Sequence, residues 1–199
     1  MKRFLLVLVL LAVSGVAAAL TIPSSCETAL RRTLDADAEW RMERLLTGAA
    51  RPLVSKGVVS CFMDRGIIWE TRAPIASTAT MTTNSVVFID RHGRQEKPLA
   101  ELPHYATIRR QAEAFLAGDD KAFDEYFAVD TEMTDDGSWR LTFRPVSWQL
   151  KRFITDLVVT ITDARVTKVV IRSEKGGTST ITFRETGWKT HALWKDAAP

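Results

Sequence analysis

Residues 57–74, GVVSCFMDRGIIWETRAP, decide the fold. Two apolar runs, residues 57–63 and 67–72, flank the polar turn Asp64-Arg65-Gly66, which predicts a hairpin of two strands. Pro74 has no N–H to give to a ladder and is expected to stop the second strand. Alternation sets Val59, Cys61 and Met63 on one side of the first strand, against Val58, Ser60 and Phe62. In the second strand Ile67, Trp69 and Thr71 oppose Ile68, Glu70 and Arg72. Neither side of the first strand is polar, so both faces of the hairpin are expected to be partly covered.

Strand signals continue on the C-terminal side. Residues 76–82 and 86–90 surround the turn signal Asn84-Ser85, and Arg91-His92-Gly93-Arg94 reads as the loop that follows. Residues 129–134 and 138–144 flank Asp135-Asp136-Gly137, a strong hairpin signal. Trp139, Leu141 and Phe143 share one face there, and Arg140, Thr142 and Arg144 the other. Residues 153–162 and 166–173 flank Asp163-Ala164-Arg165, and residues 178–184 follow Lys175-Gly176-Gly177.

Two segments read as helical. Residues 28–46 place Leu30, Leu34, Ala38, Met42 and Leu45 or Leu46 at helical spacing, with charged residues between them. Residues 98–129 break the strand pattern. Leu99, Leu102, Ile108, Ala112, Phe115 and Leu116 predict a helix over about 105–117, ended by Gly118. Asp119 can cap a second short helix that carries Phe123, Tyr126 and Phe127. The reading is α+β: one antiparallel sheet built from neighbouring hairpins, with helices on one face. No repeat or linker divides it.

The N-terminus reads as an export signal over residues 1–19, leaving residues 20–199 as a single domain. Lys2 and Arg3 precede an apolar run from Phe4 to Val13, and Ala17-Ala18-Ala19 offers a cleavage site. The run is shorter than the roughly 20 residues a spanning helix needs. Export permits disulfides, and the two cysteines, Cys26 and Cys61, admit one bridge or two buried thiols; the bridge is the expectation.

The charge excludes some functions. A net +3, with both signs mixed throughout, lacks the clustered basic footprint of a nucleic-acid binder. His92, His104 and His191 are scattered, no C-x-x-C or G-x-S-x-G is present, and the paired carboxylates sit where caps and turns need them. No catalytic residue, metal site or cofactor is therefore expected, and the chain does not read as an enzyme. What it has in excess is apolar surface, including six Trp and nine Phe. An ordinary core would absorb that excess, and so would a binding face.

The order of these elements resembles the family of periplasmic outer-membrane lipoprotein carrier proteins (LolA). The likeness is carried by Leu53-Val54-Ser55-Lys56-Gly57-Val58-Val59, by Ile67-Ile68-Trp69-Glu70-Thr71-Arg72-Ala73-Pro74, by Trp139-Arg140-Leu141-Thr142-Phe143-Arg144-Pro145, and by the pair 166–171 and 178–183. It covers roughly residues 26–186. Arg65 stands near, but not at, the place of the family's lid-latching basic residue. The chain resembles a divergent branch whose members accompany aryl-polyene or fatty-acid-type biosynthetic gene sets.

The resemblance implies an incomplete antiparallel β-barrel whose concave face is lidded by helices. It also implies a periplasmic carrier that takes lipoprotein acyl chains, or another lipid, from an inner-membrane donor complex to an outer-membrane acceptor in a Gram-negative cell. A sensor or interaction module on the same fold, without transfer, is the alternative. The implied cavity residues are Val59, Met63, Ile67, Trp69, Met81, Trp139, Leu141, Phe143, Leu157, Val159, Val169 and Ile171. The implied lid residues are Leu34, Met42, Ile108, Phe115 and Phe123, with Cys26 and Cys61 tethering the first lid helix. Neither a cofactor nor nucleic acid is implied, and a monomer is expected.

Overall fold

The computed structural model describes residues 23, 25–26, 28–29, 35–62, 66–82, 84–102 and 127–187. They form eleven strands: β1 (Asp35–Leu45), β2 (Leu53–Phe62), β3 (Gly66–Ala73), β4 (Ser77–Met81), β5 (Ser85–Asp90), β6 (Gly93–Pro98), β7 (Phe127–Met133), β8 (Trp139–Pro145), β9 (Asp156–Thr162), β10 (Arg165–Ser173) and β11 (Gly177–Gly187). All belong to one sheet, in the order β6-β5-β4-β3-β2-β1-β11-β10-β9-β8-β7. Every pairing is antiparallel. The sheet is large and curved, and it does not close: β6 and β7 are its edges.

The opening hairpin forms as expected, with Val59 opposite Trp69 and Cys61 opposite Ile67. β3 ends at Ala73, immediately before Pro74. The hairpins around residues 84, 136, 163 and 176 also form.

Three expectations are corrected. First, residues 35–45 are not helical; they are β1, which pairs with β2 and β11 and joins the two halves of the sheet. Met42 is thus a strand residue, not a lid residue. The segment DADAEWRMERL alternates strictly, with Ala36, Ala38, Trp40 and Met42 between charged residues. Ala38 and Met42 fit both periods, but Ala36 and Trp40 fit only the period of two. Second, the loop after Asp90 is only a two-residue turn, and β6 follows it. Every residue of β6 is exposed, so it has no apolar pattern to read; its charges and Pro98 suit an edge that must not recruit another strand. Third, Phe127 opens β7 and belongs to no helix.

The helices described are short: one 3₁₀ turn at Leu99–Glu101, one α-turn at Trp148–Lys151, and helical backbone at Ser25, Cys26, Thr28 and Ala29. Helices lidding a face are not seen among the described residues. Leu34, Ile108, Phe115 and Phe123, with the two helices expected over 105–127, lie outside them up to Phe127.

The two faces differ in chemistry. One carries the core: Trp40, Val59, Ile67, Trp69, Leu141, Phe143, Leu157, Val159, Val169, Ile171 and Ile181 are all buried. The other is laced with charge. Arg184 pairs with Glu39, Arg144 with Asp130, Arg140 with Glu132 at 2.7 Å and Arg172 with Asp156 at 2.6 Å. The arginines of these pairs are solvent-exposed, so each pair adds little stability. Their effect is to keep this face wet and to oppose register slips, since a one-residue slip would turn every charge inward. Between β1 and β5 this second face is also covered: Asp37, Ser60, Ile68, Thr80 and Val87 form one buried row, and the Ser60 hydroxyl donates to Asp37. The partial burial expected on both sides of the opening hairpin is therefore present.

Ile181 stands in β11, near the centre of the sheet, fully buried between Met42 and Val169. Ile181→Ala is expected to cost about 2–5 kcal/mol by urea denaturation, against under about 0.5 kcal/mol for Met133→Ala on the exposed end of an edge strand.

Candidate apolar binding face

The candidate site is built on a side-chain arrangement that spans β1, β2 and β3. Trp40 on β1 faces Gly57 on β2, and Val59, two residues on, faces Trp69 on β3. Gly57 has no side chain, so the Trp40 ring lies over β2 and stacks on Trp69, with ring centroids 4.6 Å apart and planes inclined by 29°. A Cβ at Gly57 would sit 2.8 Å from Trp40 Cζ2 and 1.8 Å from the Glu70 carbonyl oxygen. The register of β2 and β3 shifts between Lys56 and Gly57, which brings that carbonyl close. Only glycine fits there.

Trp40 and Trp69 are 2% and 3% exposed. Neither indole N–H has a hydrogen-bond acceptor among the described residues. Each unpaired buried donor costs about 1–3 kcal/mol. Burying an indole still outweighs that, since about 200 Å² of apolar surface contributes on the order of 5 kcal/mol. A phenylalanine would stack without the unpaired N–H, but would leave a void where the second ring of the indole lies. The pair offers two donors on a largely apolar floor, which also holds buried Ser179 and the buried Nε of Arg44, unpartnered among the described residues, at its β1–β11 end.

The rest of the floor follows the registers. Ile67 faces Met81, and Met81 faces Val86. On the other side of β1, Met42 faces Ile181, which faces Val169, which faces Val159, which faces Leu141. Ile171, Leu157, Phe143 and Val129 form a parallel row. Eleven of the twelve cavity residues expected from the sequence thus share one face, the partly buried Trp139 included; Met63 lies outside the described residues. Trp40, Ile181, Ile161 and Val129 share this face and are not among the residues expected from the sequence. The strict alternation through β1 was the available signal for Trp40.

Cys26 and Cys61 both belong to this core, and both are free thiols in the structure. The expected bridge is not formed here. Burial, with the Asp37 charge adding to it, pushes the Cys61 thiol up to about 12, and burial also raises that of Cys26. Among the described residues no group of three or more His, Cys, Asp or Glu side chains could hold a metal ion.

With the geometry in place, comparison with known proteins decides the family. The model described as "outer membrane lipoprotein carrier protein LolA-like" matches residues 32–190. The chain belongs to that family. The match spans every strand of the sheet. No curated protein matches the chain. Among solved structures, similarity extends to a LolA superfamily protein of Nitrosomonas europaea, at 11% identity and TM-score 0.40, covering 83% of this chain and 92% of that one. A putative outer membrane lipoprotein-sorting protein domain of Vibrio parahaemolyticus matches at 15% identity and TM-score 0.38, covering 86% and 96%. A chain of the Pseudomonas aeruginosa MucA/MucB complex matches at 11% identity and TM-score 0.45, covering 86% and 60%. At these scores the structures add no functional argument to the family match.

Two outcomes check this geometry. Gly57→Ala is expected to destabilise the LolA-like sheet by about 1–3 kcal/mol in urea, because the new methyl meets backbone. It should also lose the exciton-coupled circular dichroism of the stacked indoles. The Cys61 thiol favours its neutral form in the folded chain, so its contribution to stability is complete below pH 9 and fades as pH rises toward about 12. Urea midpoints measured from pH 8 to 11 should fall less steeply in Cys61→Ala than in the unsubstituted chain.

Proposed function

We propose that the protein is a periplasmic carrier that holds acyl chains, of a lipoprotein or of another lipid, against its apolar face and moves them toward the outer membrane. The observation that carries this reading is the floor itself: a largely apolar face contributed by ten strands, with two indole donors that lack an acceptor among the described residues. Membership of a family described as lipoprotein carriers agrees with it.

The physics fits reversible carriage. Each buried methylene contributes about 0.8 kcal/mol, so an acyl chain is held by its length and not by any covalent step. The Trp40 and Trp69 N–H groups would donate to the one polar part of such a ligand, an ester carbonyl or a carboxylate. That contact would orient the chain at the β1–β3 end of the floor. An exported chain, read from Lys2 to Ala19, is the form in which such a carrier would work.

The test is binding. Material recovered from the periplasm should carry lipid detectable by mass spectrometry, and the delipidated protein should take up a fluorescent fatty acid. Trp69→Phe keeps an aromatic ring and removes the donor, at some cost in packing. It should lower fatty-acid affinity by about 2–10-fold in protein that is still folded. A protein that copurifies with no lipid, takes up no fatty acid and releases no lipoprotein from inner-membrane vesicles would not be a carrier. A stable stoichiometric protein complex without cargo transfer would place it as an interaction module instead.

A further inference from the structure

The strand ends make two rims, and exposed apolar residues gather on one of them. This rim holds the turns β1–β2, β3–β4, β5–β6, β8–β9 and β10–β11. Of the nine large apolar side chains exposed among the described residues, eight lie here; Met133 alone is on the other rim. Leu45, Leu53 and Val54 flank the β1–β2 loop. Ile75 sits in the β3–β4 turn, and Ile89 precedes Asp90, the last residue of β5, beside the β5–β6 turn. The β8–β9 loop adds Val146, Trp148 and Phe153.

Charge divides between the rims in the same way. The turns of the apolar rim carry Arg51, Arg91, Lys151, Arg152 and Lys175 against a single acid, Glu174. The described turns of the opposite rim carry Asp135, Asp136 and Asp163 and no base.

The β8–β9 loop is built to present its tip. Ile154 is buried and Leu150 packs on the core, so both anchor the loop from inside. The Ile154 and Phe153 N–H groups donate to the Leu150 carbonyl at 2.9 Å, and the Lys151 N–H to that of Ser147 at 3.1 Å. Trp148 is left 65% exposed, with the Arg152 guanidinium 6.0 Å from its ring centroid. The loop from Val146 to Thr155 contains two bases and no acid. Elsewhere on the rim the Thr47 hydroxyl donates to the Glu174 carbonyl at 3.2 Å, tying two of the turns together.

We infer that this rim docks on the surface of an anionic phospholipid bilayer, with Trp148 seated among the headgroups. Indole rings favour that depth, and lysine and arginine stems lie along apolar surface while their charges reach the phosphates. Exposed apolar residues on four of the turns, three of which also carry a base, match a flat fluid surface. A single acidic protein would have to match them turn by turn. The docking does not depend on what the apolar face holds, but it would set a carrier's open edges beside the bilayer.

The experiment uses the full chain and vesicles of phosphatidylethanolamine and phosphatidylglycerol with brominated acyl chains. The unsubstituted chain and Trp148→Phe share the same N-terminal apolar run, so the difference in their tryptophan quenching reports Trp148 alone. Bromine should quench the unsubstituted chain more, and Lys151→Gln with Arg152→Gln should weaken vesicle binding roughly 25-fold, about fivefold per charge. Raised salt should weaken it as well. Equal quenching in the two chains overturns the inference, and so does binding that the double substitution leaves unchanged. A partner protein that shields Trp148 in the absence of lipid also overturns it. Fatty-acid uptake by Trp148→Phe, read in the same preparations, reports on the apolar face, so failure there is distinct from failure at the rim.

Discussion

The Trp40–Trp69 stack over Gly57 is the contact on which the rest of the structure depends. It ties β1 to β3 across β2 at the point where the two halves of the sheet meet. β1 comes early in the chain, yet it pairs with β11, the last described strand. Those pairings are non-local, so they form only after a long loop has closed. Burial of two indoles and their contact, about 0.5–1.5 kcal/mol beyond area alone, help to offset that closure. The arrangement leaves no room for a side chain at position 57, which is why one glycine decides whether the floor is continuous.

Around that stack the sheet is asymmetric. One face is apolar across ten strands, and the other is largely charged, with cross-strand arginine–carboxylate pairs holding the register. Burying the first face satisfies the folding requirement. The two unpaired indole donors add nothing to it, because each is buried without an acceptor among the described residues. A group that is costly to fold and suited to a ligand is the kind of feature that separates a binding floor from an ordinary core. The polarised rims add a second asymmetry, perpendicular to the first, that folding does not require either.

The legible parts of the sequence were the local ones. The hairpins were readable because turn residues and alternation lie within a few positions of each other, as in Asp135-Asp136-Gly137 between β7 and β8. So was the shared face of Ile67, Trp69, Leu141 and Phe143. β1 was misread because Ala38 and Met42 satisfy two periods at once, and four leucines nearby favoured the wrong one. β6 was invisible because an edge strand exposed on both faces carries no hydrophobic pattern. The cysteine bridge was expected from compartment and count; the structure holds two buried free thiols, for which burial in a common core is sufficient.

By itself the sequence determined the antiparallel hairpins, their facing and the membership of a lipoprotein-carrier-like family, because local steric rules and side-chain order are written directly in the chain. The strict alternation of residues 35–45 is also in the sequence, but tertiary structure alone decided that β1 joins β11 and that Trp40 reaches Trp69. The reason is physical: alternation names a strand's two faces, whereas its partners lie far along the chain. Only when β2 and β11 offer ladders on both sides does the strand of Asp35–Leu45 become the lower-energy choice, and with it the floor on which the proposed ligand would lie.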